Sequence, residues 1–329
     1  AAATASPAAA TPAATPAATA APAQVFTAQA VTLSDSQRAT AATATAQSTT
    51  NPCNAVRPFY WEVGTRDGSK VSGSVNAAGS STTYIASTPI TVASASKWIY
   101  STYAVEKLGG VLSATDRKYL TMTSGYATFN GCQKGDTVGT CESRPENNVY
   151  TASADGKFDY SGGHMQRHGT LVGLSPYNGV GVAKEIRSKL GTDLGLLYST
   201  QVAAGATISS ADYAKILRKM MSGQLKMGAL LGTTPVCTNP RTCSQAVLTP
   251  VPMTESWHYS IGHWVEDDPT VGDGAFSSAG AFGFYPWIDA TKTYYGVLGR
   301  FDPVGTNSDR KSTRLNSSHE WISRMPSSA

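Results

Sequence analysis

The sequence has few charged residues and lacks long apolar runs. Only 15% of its 329 residues are charged, and the formal net charge of +4 is spread thinly, without clusters of lysine and arginine. Nucleic acid is therefore not expected as a partner, because surfaces that bind it concentrate basic residues. The chain contains no uninterrupted run of about 18 apolar residues, which excludes a membrane-spanning helix. Its length is still sufficient for a substantial core.

Several signatures of catalysis and cofactor binding are also missing. The chain has no Gly-x-Ser-x-Gly elbow, no Gly-x-Gly-x-x-Gly fingerprint, no phosphate-binding loop and no His-Glu-x-x-His motif. His164 and His168 have the four-residue spacing of a metal pair, but no carboxylate follows on the same helix face. Paired carboxylates of the kind that hydrolyse glycosides are not recognisable either. We expect neither a metal nor a cofactor.

The N-terminal segment has the composition of a linker. Residues 1–24 hold 14 Ala, 4 Pro and 4 Thr, with no aromatic and no charged side chain, so they cannot form a core. The segment lacks the basic and apolar regions of a signal peptide. We interpret it as a semi-stiff linker that follows a removed signal peptide. We expect a disordered linker over residues 1–50, with ordered structure starting between Leu33 and Cys53.

The C-terminal segment differs in composition from everything before it. Residues 309–329 carry four of the 26 basic residues and show no strand pattern. Codon by codon, they can be back-translated into a common short-read sequencing adapter. Our hypothesis is that the gene came from an assembled read that ran into adapter, which makes this segment a non-native tail. The alternative is a natural basic tail, and sequencing the source locus past Ser308 distinguishes the two.

The cysteines indicate an oxidising compartment. Cys132 and Cys141 bracket one Gly-rich loop, and Cys237 and Cys243 bracket a second short loop, as in local disulfides. Zinc is the rival interpretation, but neither loop supplies a four-ligand set. Cys53 is left over. Two disulfides predict a secreted or periplasmic protein, and we expect it to be a monomer.

The order of elements predicts an α+β fold. A hairpin signature over residues 59–75 precedes a helix over residues 97–108, and amphipathic helices follow. Aromatic strand runs return after Pro252. The pattern predicts an antiparallel sheet flanked by helices, with an inserted all-helical lobe. We expect one catalytic domain over residues 51–308, with the lobe at about 111–250.

One tetrapeptide suggests nucleophilic catalysis. Ser94 and Lys97 open the first clear helix, and positions i and i+3 lie on one helix face, so hydroxyl and amine come together. A neutral lysine can act as general base, and burial or nearby positive charge favours the neutral form. A Ser-x-x-Lys match alone is weak evidence, since one or two are expected by chance in a chain so rich in serine.

The order of several motifs resembles the serine hydrolases of the penicillin-binding-protein and β-lactamase superfamily, particularly the class C-like, family VIII carboxylesterase branch. The segment 93–98 is similar to the first motif of that family, 158–163 to its tyrosine-centred second motif, and 278–284 lies where its third motif belongs. The resemblance covers residues 59–301. It implies that Ser94 is the acylated nucleophile, Lys97 its base and Tyr160 a proton relay. The backbone N–H groups of Ser94 and Ala281 would form the oxyanion hole.

Departures from the family pattern favour esters as substrates. Ser278 stands where members that recognise penicillin carry Lys or His, and Gly162 stands where many β-lactamases have Asn. No acidic residue is recognisable as a deacylating Glu. The predicted function is hydrolysis of a small or polymeric carboxylic ester, with a polyester among the candidate substrates and with an apolar or aromatic acyl group. Candidate substrate contacts are Ser278, Gly280, Trp257 and Phe282.

Alternatives on the same fold are a D-Ala peptidase, a β-lactamase or an amide-oligomer hydrolase. The alternative of another class is a non-catalytic binding domain that keeps the fold. Trp98 is expected in the core.

Overall fold

The computed structural model describes residues 34–303. The predicted linker up to residue 33 and the predicted non-native tail at 309–329 lie outside this range. The helices are α1 (Asp35–Gln47), α2 (Ser96–Lys107), α3 (Ala114–Leu120), α4 (Val138–Glu142), α5 (Gly163–Leu171), α6 (Gly179–Leu190), α7 (Ser210–Met221) and α8 (Met227–Leu230). Short 3-10 helices span Pro52–Val56, Ala93–Ala95 and Ala152–Ala154.

The strands are short, apart from the first two. They are β1 (Phe59–Thr65), β2 (Gly68–Val75), β3 (Pro89–Thr91), β4 (Phe158–Asp159), β5 (Leu197–Tyr198), β6 (Ala206–Ser209), β7 (Val236–Cys237), β8 (Ala246–Leu248), β9 (His258–Tyr259), β10 (Trp264–Glu266), β11 (Ala275–Ser277), β12 (Tyr285–Ile288) and β13 (Tyr295–Gly299).

The main sheet is antiparallel and joins the two ends of the described chain. Its strand order is β2-β1-β13-β12-β11-β10-β9-β7. The predicted N-terminal hairpin is present, because β1 and β2 pair around the Arg66–Asp67 turn. β13 lies beside β1, with Trp61 opposite Leu298. This arrangement confirms the predicted fold class of an antiparallel sheet with flanking helices.

Helix α2 is the central helix of the molecule. Every residue from Ser96 to Val105 is buried, so the helix is enclosed on all sides rather than along one stripe. Some of its buried polar groups are paired within the protein: the Ser96 Oγ accepts the N–H of Ala206 at 3.0 Å, and the Thr102 hydroxyl donates to the Trp98 carbonyl at 2.7 Å. The Ser101 hydroxyl and the Trp98 indole N–H have no hydrogen-bond partner among residues 34–303. Trp98 is fully buried, as expected. Residues at the start of α2 are therefore held in a rigid frame.

The segment of residues 111–250, predicted as the helical lobe, carries helices α3 to α8. It also contributes strands β4 to β8, which the pattern did not predict. Its helix α7 packs on the main sheet: the Tyr213 ring lies 5.3 Å from that of Phe284, and Arg218 approaches Glu62 of β1 at 3.4 Å. The apolar face of this amphipathic helix thus covers the main sheet.

Helix α1 corrects the predicted linker. It lies within residues 1–50, although its start at Asp35 falls in the interval expected for the beginning of order. Ser34 caps it with a capping box to Gln37, and Ala42 and Ala46 are fully buried. The helix packs against β2, where Lys70 pairs with Asp35 at 3.1 Å. Alanine has high helix propensity and allows close packing, so a composition typical of linkers here forms a helix.

Both predicted disulfides are present. Cys132 is bonded to Cys141 and Cys237 to Cys243, while Cys53 is a buried free thiol. Among residues 34–303, the helices are too short and too polar for any of them to cross a membrane.

Candidate active site

Ser94 and Lys97 meet at the start of the central helix. Ser94 lies in the 3-10 helix Ala93–Ala95, which runs directly into α2. The Lys97 Nζ donates to the Ser94 Oγ at 3.3 Å and to the carbonyl oxygen of Ala203 at 3.1 Å. Both side chains are nearly buried, with relative exposures of 7% for Ser94 and 5% for Lys97. The predicted one-turn spacing thus places hydroxyl and amine in hydrogen-bonding contact.

Backbone contacts fix the turn that carries Ser94. The hydroxyl of Tyr213 donates to the Ala95 carbonyl at 2.9 Å, and the hydroxyl of Tyr198 donates to the Ser96 carbonyl at 3.1 Å. Ala93 has a φ of 45°, in the left-handed region that residues other than glycine rarely adopt. These hydrogen bonds hold the serine in one orientation despite that local strain.

Tyr160 lies over the Ser94–Lys97 pair. It follows β4 and is partly exposed. The centroid of its ring lies 4.6 Å from the Lys97 Nζ. The phenolic oxygen is in hydrogen-bonding contact with the Ser94 hydroxyl and with the side chain of Trp264, whose indole N–H can only donate. The Trp264 ring stacks on the tyrosine ring at 5.2 Å. The structure therefore brings the three predicted catalytic side chains together.

Desolvation makes the phenol of Tyr160 a weaker acid than a free tyrosine. It raises the pKa of the phenol to about 12, against hydrogen bonds with Ser94 and Trp264 that lower it. At neutral pH the side chain is accordingly a neutral phenol, which has a proton to donate. This geometry supports a donor role for Tyr160 towards an oxygen atom that gains negative charge.

The predicted third motif runs beside the nucleophile turn. The Ser278 hydroxyl, 2% exposed, donates to the Ser94 carbonyl at 3.3 Å. Gly280 has no room for a side chain, because a Cβ atom there would lie 2.3 Å from the Val92 carbonyl oxygen. Ala281 begins the turn that follows. Gly280 therefore allows the strand end to approach the Ser94 turn, as a backbone site for an oxyanion requires.

Two predicted substrate contacts have other surroundings. Trp257 is only 2% exposed, and its ring lies 6.2 Å from that of Trp264, so it forms a layer behind Trp264 rather than a wall of the site. Phe282 is partly exposed and packs on Phe301 at 4.8 Å. The remaining aromatic side chains of these strand runs fill the core: Tyr259, Phe284, Tyr285 and Trp287.

The histidine pair of α5 is engaged in hydrogen bonds within the lobe. The His164 Nδ1 faces the Ser124 hydroxyl at 2.8 Å, and its Nε2 faces the Asp159 carbonyl at 3.0 Å. Because a carbonyl only accepts, Nε2 carries the proton. His168 lies between the Tyr100 hydroxyl and Asp116. Burial lowers the pKa of His164 to about 4, and Lys97 adds to this effect. Neutral His164 thus ties the segment that carries Tyr160 to the segment that carries Ser124.

One further group of potential metal ligands is present in the described residues. Cys132, Asp136 and Cys141 lie close enough together to hold an ion. The two sulfur atoms are bonded to each other, however, so neither is a thiolate.

Sequence analysis did not identify Trp264, Ala203 and Phe129 as neighbours of the site. Trp264 contacts Tyr160 across about a hundred residues of sequence, and Ala203 accepts from Lys97 across a similar separation. A local pattern does not encode such contacts. The glycine pair Gly162–Gly163 was the available signal for Phe129, because adjacent glycines often mark a close approach of another segment.

Comparison with known proteins gives structural likeness without detectable sequence kinship. No family model and no curated protein matches the chain. A solved structure from Bacteroides dorei DSM 17855, assigned as a β-lactamase, is similar with a TM-score of 0.60 and 17% identity, covering 85% of this chain and 99% of that one.

Two further structures extend the range of activities among these neighbours. The D-amino acid amidase from Ochrobactrum anthropi SV3 has a TM-score of 0.60 and 10% identity, covering 86% of this chain and 99% of that one. EstCE1, a hydrolase with promiscuous acyltransferase activity, has a TM-score of 0.54 and 11% identity, covering 87% and 99%. The chain therefore has the β-lactamase/transpeptidase-like fold.

Proposed function

We propose that the protein is a serine hydrolase that cleaves carboxylic esters through an acyl-enzyme on Ser94. The observation that carries this proposal is the contact of the Ser94 hydroxyl with both Lys97 and Tyr160 at the edge of the central helix. A hydroxyl placed between an amine and a phenol has a proton acceptor and a proton donor at hand. The fold neighbours include hydrolases, which agrees with this chemistry.

In the acylation half-reaction, the Ser94 oxygen attacks the ester carbonyl and its proton passes to Lys97. The backbone N–H of Ser94 belongs to the first turn of a 3-10 helix, whose N–H groups have no partner within the helix, and is therefore suited to the oxyanion. The N–H of Ala281 is the second proposed donor. Tyr160 gives its proton to the departing alkoxide, the C–O bond breaks, and the proton held by Lys97 restores the phenol.

Deacylation repeats these transfers with water as the nucleophile. Water attacks the Ser94 ester and loses a proton to the Lys97–Tyr160 pair. The Ser94 oxygen leaves and regains a proton, which releases the carboxylic acid. We assign the same oxyanion donors to both halves, because the carbonyl carbon does not move between them.

Esters without a carboxylate group are favoured as substrates over compounds that a penicillin-recognising site binds through their carboxylate. Ser278 is neutral and is engaged with the Ser94 carbonyl, so it offers no cation where the resemblance places Lys or His. Arg300 packs against Gly283 of the neighbouring turn, but its guanidinium pairs with Asp302 at 2.9 Å. A substrate carboxylate would therefore forgo a charge-assisted hydrogen bond at Ser278.

Amide cleavage is the second candidate, because a fold neighbour is an amidase and another is assigned as a β-lactamase. A p-nitrophenyl ester and a chromogenic cephalosporin distinguish the two. We expect turnover of the ester and no turnover of the cephalosporin, and the reverse result would exchange the two candidates.

The proposal predicts a single reactive serine. A fluorophosphonate probe should label the protein, and peptide mapping should place the label on Ser94. Ser94→Ala should abolish labelling and lower esterase kcat by at least about a thousandfold, as loss of a nucleophile does. Ser188→Ala, at an exposed position on α6, is the matched control and should keep full activity. Label on another serine would refute the site, and no label at all would favour a non-catalytic binding domain.

We also propose that the protein acts outside the cytoplasm. Its two disulfides are the support, because such bonds persist in oxidising compartments.

A further inference from the structure

A loop of the helical lobe lies against the glycine pair that follows Tyr160. A Cβ atom on Gly162 would lie 2.8 Å from the ring of Phe129, and one on Gly163 would lie 2.5 Å from the carbonyl oxygens of Tyr126 and Thr128. The Phe129 ring thus takes the space into which a side chain at position 162 would project. It is partly exposed. An aromatic surface therefore stands where the resemblance would place an asparagine.

The loop is also anchored by hydrogen bonds to the residues that follow Phe129. The buried Asn147 accepts the Asn130 N–H at 2.7 Å and donates to the carbonyls of Gly131 at 2.9 Å and Cys141 at 2.8 Å. The Cys132–Cys141 disulfide closes the same loop. The residue after Asn130 also approaches the other side of the site, since a Cβ atom on Gly131 would lie 3.5 Å from the Gln201 amide nitrogen.

The anchored loop therefore touches both segments that supply the site. Gln201 lies two residues before Ala203, which accepts from Lys97, and Gly162 lies two residues after Tyr160. Phe129 belongs to this loop, and its ring makes the contact with Gly162. A preorganised apolar ring favours an apolar group over water without the entropic cost of ordering the loop.

We propose that Phe129 determines which acyl group the site accepts, as an apolar wall beside the Ser94 hydroxyl. The ring favours esters with longer or aromatic acyl groups over acetyl esters, because the additional methylene groups leave water and contact the ring. Gly162 is the positioning residue for this wall, since only glycine leaves room for the ring. This inference rests on the proposed ester hydrolysis.

The test compares p-nitrophenyl octanoate with p-nitrophenyl acetate. In Phe129→Ala we expect the ratio of the two kcat/KM values to fall about tenfold, the scale of a few methylene contacts in an apolar pocket. Phe129→Leu keeps apolar bulk, so its ratio should lie between that of the wild-type protein and that of Phe129→Ala. Tyr150→Ala removes another aromatic ring of the same lobe, 52% exposed and 5.5 Å from Tyr126, and should leave the ratio unchanged.

A double-mutant cycle separates a wall from a merely structural ring. Gly162→Ala alone should lower the same ratio, because the new methyl group displaces Phe129. In the Phe129→Ala background, Gly162→Ala should change the ratio by less than about twofold, since the ring is already gone. Additive effects would contradict the pairing.

The outcomes also separate this inference from the proposed function. If Ser94-dependent hydrolysis is present but Phe129→Ala leaves the ratio unchanged or raises it, the wall is refuted and the esterase proposal stands. If Phe129→Ala instead changes the preference among acetyl esters of different alcohols and leaves the octanoate-to-acetate ratio unchanged, the assignment to the acyl group is overturned. If the wild-type protein has no Ser94-dependent hydrolysis, the proposed function itself fails.

Discussion

At the scale of single residues, the candidate site is a small set of buried polar groups whose protonation is set by their surroundings. Desolvation raises the pKa of the Tyr160 phenol, while its ring lies over the amine of Lys97. Ser94 and Lys97 could be predicted from sequence because their contact is local, one helical turn apart. Tyr160 required the family resemblance. Trp264 and Phe129 could not be predicted, because their contacts with the site depend on how distant segments pack.

The hydroxyl of Tyr160 should matter more than its ring. Tyr160→Phe keeps the stacking on Trp264 but removes the proton donor, so we expect kcat to fall about a hundredfold or more with little change in KM. Tyr259→Phe is the matched control. Its ring lies 5.8 Å from that of Tyr160, and its hydroxyl has no hydrogen-bond partner among residues 34–303. Steady-state kinetics on a p-nitrophenyl ester measure both, and equal activity in the two variants would exclude Tyr160 as a proton donor.

At the scale of elements, period and turn chemistry predicted the hairpin and helix α2 closely. The aromatic strand runs after Pro252 were predicted less well, because residues 257–266 and 275–289 each hold a pair of strands, β9 with β10 and β11 with β12. In the first, β9 and β10 are joined by a turn in which Gly262 has a φ of 72° and Ser260 donates to the His263 carbonyl at 2.8 Å. Aromatic residues before and after such a glycine resemble one strand, unless the glycine is interpreted as the site of a turn.

The loop disulfides should stabilise their own elements rather than join distant ones. Replacing Cys132 and Cys141 by Ser removes a bond that spans 9 residues, and loop-closure entropy predicts a loss of about 2–3 kcal/mol in the free energy of unfolding. The control is the same replacement at Cys237 and Cys243, which spans 6 residues and should cost slightly less. Urea denaturation without reductant measures both, and unchanged midpoints would contradict the contribution.

At the scale of the whole molecule, three of the histidines among residues 34–303 are buried. His164 and His168 lie in α5, and His263 lies in the turn between β9 and β10, where its Nε2 accepts the Gly232 N–H at 3.0 Å. Burial lowers the pKa of each, to about 4 for His164 and His263. An unfolded histidine has a pKa of about 6.5. The folded protein therefore excludes protons that the unfolded chain binds.

Stability should accordingly fall as the pH drops from about 6.5 towards 4. Above this window neither state protonates these histidines, and within it each buried ring lowers the free energy of unfolding by up to about 1.4 kcal/mol per pH unit. The carboxylates with lowered pKa, such as Asp136 and Asp193, act below this window. Urea denaturation at pH 5.0 and 7.0 measures the effect. His263→Gln should reduce the difference in the free energy of unfolding between the two pH values. Equal stability at the two pH values would contradict it.

The left-handed Ala93 has a consequence for protein engineering. It immediately precedes Ser94, and its φ of 45° is a conformation that glycine adopts readily and alanine does not. A screen for thermostability would therefore tend to select changes that relax this turn. The same changes would loosen the serine that the turn orients. Thermal stability and catalytic turnover thus make opposing demands on residue 93. Selection for both properties together should retain Ala93.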